Sequence, residues 1–171
     1  KAGTRVVGGA GDQASSAVGN GIVSTGLPSA TLGTSGVIFT YTDAPKLDPR
    51  GRIHTFCHAV PGKWHVMGVT QGAGLSLRWF REHFGASETW LARQTGVDAY
   101  DLIIEQAAKI PPGSEGLLWL PYLMGERTPH LDAHARGMWF GLTAAHTRGH
   151  MIRSILEGVA FSLRDSLEIF K

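Results

Sequence analysis

Cysteine is nearly absent: Cys57 is the single thiol of the chain, which excludes an internal disulfide framework and fits a reducing, cytoplasmic setting. No run of about 18 apolar residues and no leader pattern occurs, so no membrane partner is expected. Basic residues are never adjacent, and 16 Lys and Arg against 14 Asp and Glu leave a thin net charge of +2. A nucleic acid or an anionic bilayer therefore finds no patch to bind. Two nucleotide signatures are missing as well. No Gly-Lys-Ser/Thr follows Gly33 and Gly36, which disfavours a Walker loop, and Gly72-Ala73-Gly74 lacks the third glycine of the dinucleotide fingerprint.

What is abundant is glycine, 23 of 171 residues, well above the average of roughly 7% and placed between apolar segments rather than in a repeat. With 43% hydrophobic residues, the chain can bury one good core and reads as one domain. A strand expected soon after Lys1, and a helix reaching Lys171 without a stop signal, lead us to expect a piece of a longer protein.

Residues 5–8 read as a short buried strand that runs through Gly8, Gly9 and Gly11 into a helix over 12–18, with Asp12 as its N-cap. Residues 29–32 and 37–41 read as a hairpin around Gly33-Thr34-Ser35-Gly36, and 53–59 and 64–69 as further strands, giving a small antiparallel or mixed sheet. From Gln71 the apolar spacing becomes helical, with helices ending before Gly85 and over 87–94 and 99–109. Residues 116–120 read as a buried strand, 124–136 as a long polar loop, and 147–171 as a helix whose apolar stripe is Ile152, Ile155, Leu156, Val159, Leu163, Leu167 and Phe170. Strands followed by helices, without an internal repeat, predict an α/β layered domain.

Asp12 has two readings. It can cap a helix, or it can accept a proton beside a phosphate, since three glycines before it let a substrate approach more closely than a cap requires. Gln13 would then position a ligand. The Gly33 to Gly36 string by itself is an ordinary turn. His130 with Asp132 and His134, and His146 with His150, have spacings that could hold a metal on a helix, but Pro129 and the helix start near Thr147 favour loop-ordering histidines, so no metal site is expected. Cys57 beside His58 reads as a buried structural thiol, because adjacent strand residues face opposite ways.

Nearly the whole chain resembles the FGGY carbohydrate kinases. Gly8-Gly9-Ala10-Gly11-Asp12-Gln13 is similar to that family's catalytic-aspartate segment, and Leu32-Gly33-Thr34-Ser35-Gly36 to its second phosphate hairpin. His54 to His58, Trp64 to Gly68, Leu120 to His130 and the signature from Gly137 through His150 to Glu157 resemble its xylulose-phosphorylating members. The resemblance implies an actin-like ATPase (ribonuclease-H-like) α/β domain, a mixed sheet with packed helices. It further implies that residues 1–171 form part of the second, C-terminal domain, with the first domain and the adenosine segment outside the chain.

By this resemblance the full-length parent moves the γ-phosphoryl of ATP, with Mg2+, to a sugar, D-xylulose giving D-xylulose 5-phosphate. Ribulose, gluconate or glycerol are the alternative acceptors within the family. Asp12 would take the hydroxyl proton, Gln13 would touch the sugar where relatives often carry Asn, and Gly33, Thr34, Ser35, Gly36 and Gly74 would lie against the nucleotide. Sugar and ATP are the expected partners, a homodimer of the parent is admitted, and the 171-residue piece alone is expected to be inactive. A non-catalytic nucleotide-binding or scaffold fragment is the rival from another class, and a metal-dependent hydrolase built on His130, Asp132 and His134 the distant third.

Overall fold

Alternation along two strands builds the first layer. In the computed structural model, which describes residues 2–6 and 8–171, β2 (Gly36–Thr42) and β4 (Trp64–Thr70) pair antiparallel along their whole lengths. Their odd-numbered residues point one way, so Val37, Phe39, Tyr41, Met67 and Val69 form one core with Ala17 of α1 (Asp12–Gly19) and Ile22. β1 (Pro28–Leu32) joins β2, and β3 (His54–Cys57) joins β4, giving the order β1-β2-β4-β3. Every ladder between these strands is antiparallel.

The second layer is helical. α2 (Ala73–Phe84), α3 (Ala86–Thr95) and α4 (Ala99–Ala108) precede a two-stranded ribbon, β5 (Leu118–Leu120) and β6 (Met138–Phe140), and α5 (Arg148–Ile169) runs past all of them. Phe80, Ile103, Ala107, Trp119, Ile152 and Ile155 form the second core. Ile152 and Ile155 have no exposed surface, so burial of each contributes about 1.5–3 kcal/mol. Against this core Trp119 meets Trp139 at 4.5 Å between ring centroids and Trp79 at 5.7 Å. Glu88 of α3 is clamped to the start of α5 by Arg148 Nη2 at 2.6 Å and receives Gln106 Nε2 at 2.7 Å. Burial alone would raise its carboxyl, but these two donors overcome that and hold it at about 2.

Most of the expected elements are present within two residues of their bounds, and four readings change. The strand expected over 5–8 does not form: Arg5, Val6 and Gly8 are exposed and unladdered, and Val7, like Lys1, lies outside the described residues. A strand needs a partner for its backbone, and residues 5, 6 and 8 have no ladder partner among the described residues. Cys57 is exposed rather than buried, because it ends an edge strand, and its neighbour His58 is the buried one. β6 went unforeseen, since three residues after Gly137 carry no readable alternation. The far half of α5 meets β4 through Ser162 and Ser166 and the β5–β6 ribbon through Gly158, while Leu163 of its apolar stripe packs on Gly36 of β2. Small residues at four-residue spacing let the helix approach β4, where Gly68 faces Ser166.

Candidate functional site

α1 begins at a glycine, and that decides the role of its first carboxylate. Gly11 is the N-cap, with extended backbone, so Asp12 is already helical and is not the cap expected from the sequence. Among the described residues its Oδ1 accepts only the amide of Gln13, at 2.8 Å, and the side chain is exposed. A carboxylate at the first helical turn is favoured by the helix dipole. Asp12 and Gln13 line one hollow, whose opposite wall is Phe56, Cys57, His65 and Met67.

His65 in that wall is 4% exposed and stacks on Phe39 at 4.4 Å, while His58 stands edge-on to it at 5.9 Å. Burial pushes both imidazoles below their ordinary value, and the His58 charge lowers His65 further. Tyr41 faces His58 from β2, and Asp12 shares the hollow with His65. Because the folded chain disfavours the protonated rings, the unfolded chain binds more protons below about pH 6.5. Stability is therefore full above that pH and falls as the pH drops toward the folded values. Melting at about pH 7.5 and 5.5 should show the lower transition at 5.5, with imidazole C2 resonances titrating below the free-histidine value. Equal stability at both pH values would contradict this.

The second cluster is built from backbone. Leu32 pairs with Gly36 across the hairpin, leaving Gly33, Thr34 and Ser35 as the turn, which Gly33 closes with its own amide on Ser35 O at 2.9 Å. The start of α2 is laced to this turn: Gly74 N donates to Gly33 O at 2.9 Å and Leu75 N to Thr34 O at 3.1 Å. Only glycine fits at 74, since a Cβ there would lie 2.5 Å from Gly33 O. The amides of Thr34 and Ser35 make no bond among the described residues. A turn with two free N–H groups beside a helix N-terminus fits an anionic ligand such as a nucleotide phosphate. Gly33 and Gly74 also line an apolar groove with Leu77 and with Val159 and Leu163 of the α5 stripe.

The sequence candidates thus fall into two groups. Asp12 and Gln13 stand together on one hollow, and Gly33, Thr34 and Gly74 stand together at the turn. Gly36 is packed beneath it against Leu163, Thr70 and Ala73. Among the described residues no three His, Cys, Asp or Glu side chains gather as a metal cage. His130 instead bonds Tyr122 Oη at 3.0 Å, and His146 and His150 accept the amides of Thr143 and Thr147, each at 3.0 Å. No described helix is long and apolar enough to cross a membrane. Sequence reading missed the buried Glu126, whose signal was an acidic residue in an otherwise unexplained long loop.

Residues 29–171 match the C-terminal domain of the FGGY family of carbohydrate kinases, and the chain belongs to that family. Its fold is accordingly the actin-like ATPase class expected from the resemblance. The xylulose kinase of Bacillus subtilis is 42% identical over 168 residues, which are 98% of this chain and 32% of that protein. The gluconokinase of the same organism is 44% identical over 156 residues, 91% of this chain and 30% of that one. The crystal structure of xylulose kinase from Rhodospirillum rubrum superposes with a TM-score of 0.78 at 34% identity, covering 95% of this chain and 31% of its own. The chain thus spans about a third of the length of these relatives, and Asp12 precedes the matched domain.

Proposed function

We propose that the protein carrying this chain transfers the γ-phosphoryl group of ATP to a hydroxyl of D-xylulose, giving D-xylulose 5-phosphate. The observation that carries the reading is the 33–35 turn laced to the start of α2, with the Thr34 and Ser35 amides free for nucleotide phosphates. Asp12, exposed and, among the described residues, bonded only to its neighbour's amide, is the proton acceptor for the attacking hydroxyl, and Gln13 orients the sugar from the same hollow. Phosphoryl transfer through a loose transition state needs alignment more than basicity, because the hydroxyl proton leaves late. A carboxylate at a helix start can serve that step without special tuning. Magnesium, entering with the nucleotide, would offset phosphate charge.

Gluconate is the second acceptor to test, since the gluconokinase relative is as similar as the xylulose kinase over a slightly shorter span. A coupled ATP-consumption assay on the full-length protein, run with xylulose, gluconate, ribulose and glycerol, decides between them. The expected kcat/KM for xylulose exceeds the others by about tenfold or more, the discrimination a few polar contacts give. Preference for gluconate would replace the substrate, and no turnover with any of the four would overturn the kinase reading. In that assay the isolated 171-residue chain should be inactive.

A further inference from the structure

The buried acid of the long loop makes contacts that lead to the turn. Glu126 is 4% exposed and accepts three hydrogen bonds. Its Oε2 takes the Thr70 hydroxyl at 2.6 Å, and its Oε1 takes the Gln71 amide at 2.8 Å and the Arg127 amide at 2.7 Å. Thr70 has no exposed surface and in turn accepts Ser162 Oγ of α5 at 2.7 Å. The loop is fastened to the same strand a second time. Thr128 and Val69 exchange two bonds, each 3.0 Å, and Thr128 Oγ1 donates to Arg52 O at 2.7 Å.

Thr70 and Gln71 are where β4 leaves the sheet for α2. Thr70 lies opposite Gly36, the first residue after the turn, and Gly74, three residues past Gln71, is bonded to Gly33. Glu126 therefore holds both chain segments that meet at the turn: one through the Thr70 rung of the ladder, the other through the Gln71 amide at the entrance to α2. A buried acid is costly unless its acceptor positions are filled, and here they are filled from those segments.

We infer that Glu126 is a positioning residue for nucleotide binding: it sets the spacing between the 33–35 turn and the start of α2, and so the direction of the Thr34 and Ser35 amides. This rests on reading the turn as the nucleotide site. Glu126 touches no substrate in this scheme. It acts through Thr70 and Gln71.

The test uses the full-length kinase and separates the two Michaelis constants. Glu126→Asp keeps the acid but is one methylene short, so it cannot hold Thr70 and Gln71 together. It should raise the KM for ATP about tenfold while the KM for the sugar stays within about twofold, because a displaced binding group weakens only the ligand it faces. Glu126→Gln should bring the KM for ATP back to within about threefold of the parent, since its oxygen can take both amides and its nitrogen can donate to Thr70 Oγ1. An unchanged KM for ATP in folded Glu126→Asp, or a parallel rise for both substrates, overturns the inference. Where Glu126→Asp does not fold, Thr70→Val reads the same tether from its other end with the same expected and overturning results.

Gly74→Ala distinguishes the two levels of the reading, because its Cβ presses directly on Gly33 O. If Gly74→Ala raises the KM for ATP and Glu126→Asp does not, the role of Glu126 fails alone. If neither moves it, the nucleotide site itself is misassigned and the inference falls with it.

Discussion

Asp12→Asn in the full-length protein is expected to lower kcat for sugar phosphorylation by about 10³-fold, within the range that a positioned general base supplies. The substitution is informative because the fold does not depend on the acid. Gly11, not Asp12, caps α1, and the single bond that the Asp12 side chain makes among the described residues is to the Gln13 amide, which an asparagine oxygen accepts equally well. Helix, hollow and turn should survive, leaving the KM for ATP within about twofold. What disappears is the ability to hold a proton. A loose transition state lowers the demand on the base without removing it, since the proton must still leave the hydroxyl as the new P–O bond completes. Steady-state rates with xylulose, beside matched circular dichroism spectra, check the claim. Turnover within tenfold of the parent would take Asp12 out of the proton-accepting role.

The second large effect is on stability and runs against helix propensity. Gly158 lies in the middle of α5, where alanine would ordinarily gain about 1 kcal/mol. Here a Cβ would sit 2.2 Å from the backbone oxygen of Trp119 and 3.1 Å from its Cβ. Neither neighbour can give way. Trp119 is held by the β5–β6 ladder and by the bond from its Nε1 to Ser76 Oγ at 3.2 Å, and the helix is fixed on both sides by Ile152, Ile155 and Ser162. The expected outcome is a loss of about 3 kcal/mol despite the gain in propensity, the size typical of overpacking against backbone. Urea unfolding of Gly158→Ala measures it. Gly19→Ala, at the end of α1 with open space around it, is the companion that should show no such loss. Equal stability of the two variants would mean that α5 can move off the ribbon freely.

The sequence was legible where one period ran long enough to be unambiguous. β2 runs seven residues of mostly β-branched and aromatic side chains, so it and its hairpin with β1 around the 33–35 turn could be read directly, as could β4 after the Pro61-Gly62 turn. α5 was legible as a helix and in its apolar stripe, where Ile152 and Ile155 are fully buried and Leu163 packs on Gly36, but not in its close approaches, which Ser162 and Ser166 make to β4 and Gly158 to Trp119. A pattern of apolar residues records what is removed from water, not how near two backbones come. The glycine run before Asp12 suggested a strand, but three glycines and two valines specify no pairing partner, and residues 5, 6 and 8 form none. At the candidate site, the turn and the helix start could be read from Gly33, Gly36 and Gly74 as a resemblance. Their lacing could not be read, because backbone bonds between Gly74 and Gly33 have no side-chain signature. Glu126 was hidden for the opposite reason: its side chain is everything, but its partners Thr70 and Gln71 are 56 and 55 residues away in the chain.

The packing of Trp79, Trp119 and Trp139 gives the molecule an optical handle. Indoles this close, 4.5 to 5.9 Å between centroids, couple their transitions and give a strong near-ultraviolet dichroic band that exists only while α2, β5 and β6 stay in register. Trp79 rides on the helix whose first residues are bonded to the 33–35 turn. A ligand that shifts that helix would retune the indole band without any label, and near-ultraviolet circular dichroism would follow the turn in real time.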